Sequence, residues 1–204
     1  GQVFVGGQDE MGFFQPDARG VLQYHSLTHF LPDSLRHFGD VWDVEISEDG
    51  RGVYYRADHY LFKWDGSTLR VEIKDPKGLL FLGKWKKKVL IQDSKKHFWT
   101  EAGSHLVPHP SIPPFGQGGI ISGIAEWTTD TLLITTIKDG IFAFDGHRFH
   151  PWHTNCDDFL SEQRIMCAAR LPNGHLALGT ALDGVLTIDR WHRSQRHIEK
   201  KQGL

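Results

Sequence analysis

Gly140-Ile141-Phe142-Ala143-Phe144-Asp145-Gly146 is a short apolar run that closes on an acidic turn. The same pattern stands at Gly12-Phe13-Phe14-Gln15-Pro16-Asp17, Tyr60-Leu61-Phe62-Lys63-Trp64-Asp65-Gly66, His97-Phe98-Trp99-Thr100-Glu101-Ala102-Gly103 and Gly184-Val185-Leu186-Thr187-Ile188-Asp189-Arg190. In chain order the first residues of the five copies are 48, 37, 43 and 44 positions apart. A period near 40 residues with strand-like content in every copy marks an all-β protein, a β-propeller of four-stranded antiparallel blades.

Working outward from the motif, each repeat resolves into four strands. The first reads Val41-Trp42-Asp43-Val44-Glu45-Ile46 in one copy and spans residues 164–171 in another. A turn such as Glu48-Asp49-Gly50 or Pro172-Asn173-Gly174 follows, made of residues that tolerate positive φ. The second strand is apolar (Leu132-Leu133-Ile134-Thr135), the motif is the third, and a more polar fourth strand ends the unit. Inner strands covered on both faces read as apolar runs, whereas an outer edge carries charge and proline. The first copy lacks a first strand, so the count is about four complete blades plus a three-stranded partial blade. The chain reads as one propeller region over 1–204: a partial blade at 1–30 and blades at about 40–75, 78–110, 119–153 and 163–200. Helical segments are expected between blades at 31–38 and at 155–163, the second with Asn155 as cap.

Composition bounds the function. Lys+Arg 23 against Asp+Glu 25 gives a net charge of −2, which argues against a dedicated nucleic-acid binder. No apolar run is long enough to span a membrane as a helix. No signal peptide is visible, and the chain opens directly on the strand-like Gly-Gln-Val-Phe-Val, so upstream sequence is expected. Cys156 and Cys167 are expected as free, buried thiols rather than a disulfide.

Gly6-Gly7-Gln8-Asp9-Glu10-Met11-Gly12-Phe13-Phe14, Phe38-Gly39-Asp40-Val41-Trp42-Asp43-Val44 and Leu171-Pro172-Asn173-Gly174-His175-Leu176-Ala177-Leu178-Gly179-Thr180 resemble the two-component-regulator propeller repeats. These repeats form the extracytoplasmic sensor region of bacterial hybrid histidine kinases and of related triple-tyrosine-motif regulators. The resemblance covers essentially the whole chain. It implies a fragment of a larger, typically seven-bladed propeller, periplasmic and part of an inner-membrane protein. The triple-tyrosine β-sandwich, membrane helix and signalling domain that follow in the family are not in this sequence, so contact with a membrane is expected only through such downstream segments.

Local motifs for chemistry are sparse. His147, His150 and His153 invite a metal site, but on a strand His147 and His153 would lie about 20 Å apart and His150 would face the other way. The basic run Lys84-Trp85-Lys86-Lys87-Lys88 falls where a hairpin tip belongs and reads as a solvated turn. Gly116-Gln117-Gly118-Gly119 has no Lys-Ser/Thr sequel and is not a phosphate-binding loop. No Gly-x-Ser-x-Gly elbow occurs, and Asp157-Asp158 read as helix-capping acids. Seven tryptophans fall once or twice per blade, a spacing that favours packing between blades.

A ligand would meet the loops joining second and third strands. Candidates there are Gln8, Arg56, Asp58, Gln92 and Lys138, with Trp42 and Trp127 near the innermost strands as stacking platforms. No catalytic residue, cofactor or metal is expected. Mixed charge beside aromatics suits a small polar molecule or an oligosaccharide. The expectation is a non-catalytic extracytoplasmic input domain. The alternatives are a protein-interaction scaffold and, third, a propeller glycosidase or lyase. Unpaired inner-strand edges in the partial blade make self-association through those edges, or membership of a dimeric receptor, the expected assembly.

Overall fold

The computed structural model of the 204-residue chain describes residues 1–103, 105–109 and 119–198. The glycine stretch at 116–118 and the last residues of the fifth repeat lie outside them. The chain forms two compact units, Gly1–Pro108 and His109–Leu204.

The first unit holds three antiparallel sheets. Strands β1 (Val3–Gly7), β2 (Glu10–Pro16) and β3 (Leu22–Ser26) form the three-stranded sheet expected of the partial blade. Strands β4 (Val41–Ile46), β5 (Val53–Ala57), β6 (Tyr60–Trp64) and β7 (Leu69–Lys74) form the next, followed by β8 (Phe81–Trp85), β9 (Lys88–Gln92), β10 (Phe98–Ala102) and β11 (His105–Pro108). The second unit holds β12 (Ile121–Glu126), β13 (Leu132–Thr136), β14 (Ile141–Phe144) and β15 (Phe149–Pro151), then helix α1 (Asp157–Gln163), then β16 (Ile165–Arg170), β17 (Leu176–Thr180), β18 (Val185–Ile188) and β19 (Ser194–Ile198). Each sheet is a simple meander in sequence order. No helix among the described residues is long and apolar enough to cross a membrane.

Two-sided burial explains the apolar runs. Successive side chains of β5 point to opposite faces, yet Tyr54 and Tyr55 are both fully buried. Tyr55 joins Met11, Leu31, Phe38 and Phe62 in the core against the first sheet. Tyr54 joins Leu61, Leu82, Val89 and Ile91 in the core against the third. In the second unit Leu133, Ile165, Leu178, Leu186 and Ile188 build the equivalent layer. The two tyrosine hydroxyls bridge sheets, Tyr55 donating to the Gly12 carbonyl at 3.0 Å and Tyr54 to Glu101 Oε1 at 3.0 Å.

The acidic residue of the motif is a turn staple. Asp65 Oδ1 accepts the N–H groups of Ser67 and Thr68, and Asp145 Oδ1 those of His147 and Arg148. Asp17 and Asp189 do the same in the first and last sheets. These donors hold the carboxyls below the usual range. The Thr68 hydroxyl and N–H do so for Asp65, the Val21 and Arg19 N–H groups for Asp17, and the Arg148 and His147 N–H groups bring Asp145 down to about 2. At Asp189 burial opposes ionisation, but the donors from Arg193 and Trp191 outweigh it. Carboxyls more acidic folded than unfolded lend stability that is complete above about pH 4 and is lost as pH falls through their folded values. The melting temperature by scanning calorimetry should therefore hold from pH 7 to about pH 5 and fall below about pH 4, and Asp145→Asn should soften that fall. A drop already between pH 7 and 5 would assign the acid sensitivity to other groups.

Three expectations need correction. The segment 31–38 is not one helix: a 3-10 turn at Thr28–Phe30 and another at Asp33–Leu35 are separated because Leu31 precedes Pro32 and is extended (ψ 143). Helix α1 starts at Asp157 with Cys156 at its N-cap. Asn155 does not cap it, because its side-chain oxygen accepts the Ser194 N–H at 2.8 Å. Both cysteines are free, but Cys167 is exposed and Cys156 only half-buried, with burial pushing its thiol up. The basic run is the expected hairpin tip. Lys86 and Lys87 take positive φ (46 and 69) between paired Trp85 and Lys88, which is a tight two-residue turn.

Candidate ligand-binding site

The residues singled out in the sequence are divided between the two units, Gln8, Trp42, Arg56, Asp58 and Gln92 in the first and Trp127 and Lys138 in the second, and their side chains have unequal freedom. The first strands β4, β12 and β16 each carry a bulge, which puts Trp42, Ser122 and Met166 off the ladder. Trp42 is thereby 59% exposed, and its indole N–H donates to Asp58 Oδ1 at 2.6 Å. Gln8 bridges to Asp40, and Asp9 exchanges hydrogen bonds with Gly39 through both N–H groups. Gly39 has φ +84, and a Cβ there would stand 2.5 Å from the Asp58 carboxylate. Gln8, Asp58 and Trp42 are thus brought together around residues 39–42.

Arg56 and Gln92 are spent on structure. Arg56 pairs with Asp43 across β4 and donates to the Leu79 carbonyl at 2.8 Å, tying the second sheet to the chain entering the third. Gln92 is fully buried. Of the residues singled out, these two have side chains that are buried or already paired within the fold.

Lys138 is exposed in the β13–β14 turn. With Asp139, Trp152, His153, and with Asp158 and Ser161 of α1, it lines a polar groove of about 260 Å³. Helix α1 forms one wall, and Asp157 staples its start to the chain after β15, accepting the Thr154 N–H at 2.8 Å and hydroxyl at 2.6 Å. The histidines of the 147–153 cluster are parted. His150 Nε2 lies 3.3 Å from Asp145 and His153 Nδ1 2.9 Å from Asp157. Among the described residues no three His, Cys, Asp or Glu side chains gather as a metal site.

Trp127 lies at the other end of the second unit, where turns after first and third strands collect. Its ring meets Trp152 edge-on (centroids 5.5 Å), and it walls a cleft of about 470 Å³ with Arg170 and Trp191. Sequence reasoning missed the arginines and Trp191. The available signal was the last copy of the motif, where Asp189-Arg190-Trp191 replaces the Asp-Gly turn of Asp65-Gly66 and Asp145-Gly146.

No family model and no curated protein matches the chain. Among solved structures it is similar to PorZ, a bacterial surface component of the type-IX secretion system of Porphyromonas gingivalis, at TM-score 0.65 and 11% identity over 95% of this chain and 26% of that one. It is also similar to the WD40 β-propeller domain of Doa1, at TM-score 0.64 and 15% identity over 97% of this chain and 64% of that one. The chain thus spans about a quarter of the PorZ chain and just under two thirds of the Doa1 chain. Five meandering antiparallel sheets, four of them four-stranded, together with these likenesses, make the fold that of a partial β-propeller.

Proposed function

We propose that this chain is the ligand-binding input propeller of a bacterial two-component regulator, held outside the cytoplasm, non-catalytic in itself, and responsive to a polar solute such as an oligosaccharide. The observation that carries the reading is the groove of Lys138, Asp139, His153, Asp158 and Ser161, a concave polar surface on the loop end where the repeat gathers its variable residues. Its hydroxyl, carboxylate and ammonium groups match the alternating donors and acceptors of a sugar. The pairing of Arg56 with Asp43 supports a structural use of that charged loop group. Occupancy would bias how the propeller sits in a receptor dimer, by the difference in affinity for its two arrangements.

A thermal-shift panel of neutral and acidic oligosaccharides tests this. A ligand at a hundred times its Kd should stabilise by about 2.7 kcal/mol, a rise of roughly 5–10 °C for a chain of this size. Lys138→Ala and Asp158→Ala should remove the rise for a ligand of this groove. Silence across the panel, with the parent reading frame lacking a membrane helix and kinase, would sink the reading, and turnover of a bound glycan would make the protein an enzyme.

A further inference from the structure

In the second unit the turn after Asp189 differs from the one after Asp145 and takes the longer form seen after Asp17, where the positive φ falls on Gly20 (82). After Asp65 and Asp145 stand Gly66 and Gly146, with φ of 96 and 95, the shortest way to reverse the chain. After Asp189 stands Arg190, and the positive φ moves on to His192 (65). Asp189 still staples the turn, accepting the Trp191 N–H at 2.8 Å and the Arg193 N–H at 2.9 Å. The turn is therefore as well fixed as its counterparts, yet it lifts an arginine and a 59% exposed tryptophan that the fold does not need.

Both face the cleft that Trp127 walls on the other side, shared with Arg170, Asn173 and His175. Its volume of about 470 Å³ falls in the range of small-molecule sites. The guanidiniums are stacked on indoles: Arg170 lies 5.5 Å from the Trp127 ring centroid, and Arg190 and Arg193 lie 4.2 and 5.2 Å from that of Trp191. Stacking holds the guanidinium plane while its N–H edge stays available to an acceptor, which suits a carboxylate. The one acid of the cleft, Asp189, is already used by Arg193 and Gln195. Arg170 gives one N–H to the Glu126 carbonyl at 3.3 Å, and among the described residues the acid of the cleft pairs with Arg193 rather than with Arg170 or Arg190. The cleft is left cationic, walled by two aromatic rings, with an amide and an imidazole beside them.

We propose that this cleft binds the acidic residue of an oligosaccharide, its carboxylate received by Arg170 and Arg190 and the apolar face of its ring packed on the indoles. Asn173 and His175 meet its hydroxyls. Asn173 spends its carbonyl on the His175 N–H at 3.1 Å, which leaves its amide hydrogens for a ligand. A bare anion would use the arginines and waste the aromatic walls, and a neutral sugar would leave two guanidiniums beside it without a carboxylate. This inference rests on the reading of the chain as a saccharide-binding input domain, and it adds a second site and the charge class of its ligand.

The test is calorimetric titration of the whole chain with the trimer of galacturonic acid, with its methyl ester, and with the neutral galactose trimer. The acid should bind, with the ester and the neutral trimer at least tenfold weaker, and added salt should weaken the acid alone. Arg170→Ala, Arg190→Ala and Trp191→Ala should each weaken the acid at least tenfold while leaving the melting temperature near that of the parent. Equal affinity for acid and ester, or arginine variants that bind the acid as the parent does, would overturn the assignment. If sugars bind but respond only to Lys138→Ala and Asp158→Ala, the cleft is wrong and the input-domain reading stands. If none of the three trimers binds, the assignment of this cleft falls, and the input-domain reading is decided by the wider oligosaccharide panel and the parent reading frame.

Discussion

Replacing Glu101 with alanine is expected to lower the unfolding free energy by about 3–5 kcal/mol. Glu101 occupies the last apolar position of the motif, where the neighbouring copies carry Trp64, Phe144 and Ile188. In the sequence it looks like the acid of the turn. The structure places it on β10 opposite Leu106, 2% exposed, with Ala102 standing where the turn acid belongs. Its carboxylate is answered from the second sheet, by the Tyr54 hydroxyl at 3.0 Å, the Glu48 N–H at 2.8 Å and Lys63 Nζ at 3.6 Å. Lys63 is itself 7% exposed and lies over the Tyr54 ring at 4.6 Å. Burial, and next the Glu101 charge, push the Tyr54 phenol far up, so it serves as a fixed donor. Removing the carboxylate strands a buried ammonium and two donors at once, which is why the loss exceeds that of an exposed pair. Chemical denaturation of Glu101→Ala, Lys63→Met and the Lys63→Met/Glu101→Leu double variant checks this. The double variant should recover most of the loss, since an apolar pair satisfies the site as the motif does elsewhere. A Glu101→Ala variant within 1 kcal/mol of the parent would mean that water reaches Lys63.

The same residue shows what a repeat can and cannot disclose. Spacing and apolar content made the strand order legible, because a sheet covered on both faces leaves no choice of residue for Tyr54, Tyr55, Leu133 or Leu178. Turns were legible for a related reason: Gly50, Gly66, Gly146 and Gly174 sit at positive φ that few other residues adopt. The site was less so. Gln8, Asp58 and Trp42 meet because a bulge at Trp42 re-aims the indole, and a bulge leaves no mark in composition. Arg56 and Gln92 sit on polar loop ends like Lys138, and only the register that sets Arg56 against Asp43 and the burial of Gln92 separate the spent from the available. The arginine–tryptophan cleft was present in the sequence as a departure from the motif at Arg190 and Trp191. The departure gains meaning only when Trp127 and Arg170, some 60 and 20 residues earlier, are seen across the same cleft.

Phe62→Ala is expected to cost about 3–5 kcal/mol, and the comparison with Phe142→Ala decides why. Both occupy the third position of the motif. Phe62 is fully buried on β6, paired with Tyr55 and Val71, and its ring meets Phe38 edge-on at 5.2 Å and lies against Tyr60 at 5.6 Å. Phe38 arrives from the segment of two 3-10 turns between the first and second sheets, which is anchored by Leu27, Leu31 and Phe38 rather than by ladder hydrogen bonds. Truncating Phe62 therefore opens a cavity that the segment could fill only by giving up its own packing. Phe142 pairs with Ile134 and Pro151 on the corresponding strand of its sheet but is only half-buried, so its loss should cost clearly less. Denaturant unfolding of both variants gives the difference, and hydrogen exchange reports its origin: the amides of Leu31 and Leu35, protected by Thr28 and Pro32 carbonyls, should exchange faster in Phe62→Ala and unchanged in Phe142→Ala. Equal costs at the two positions would mean that the motif itself, and not the chain packed against it, sets the energy of each blade.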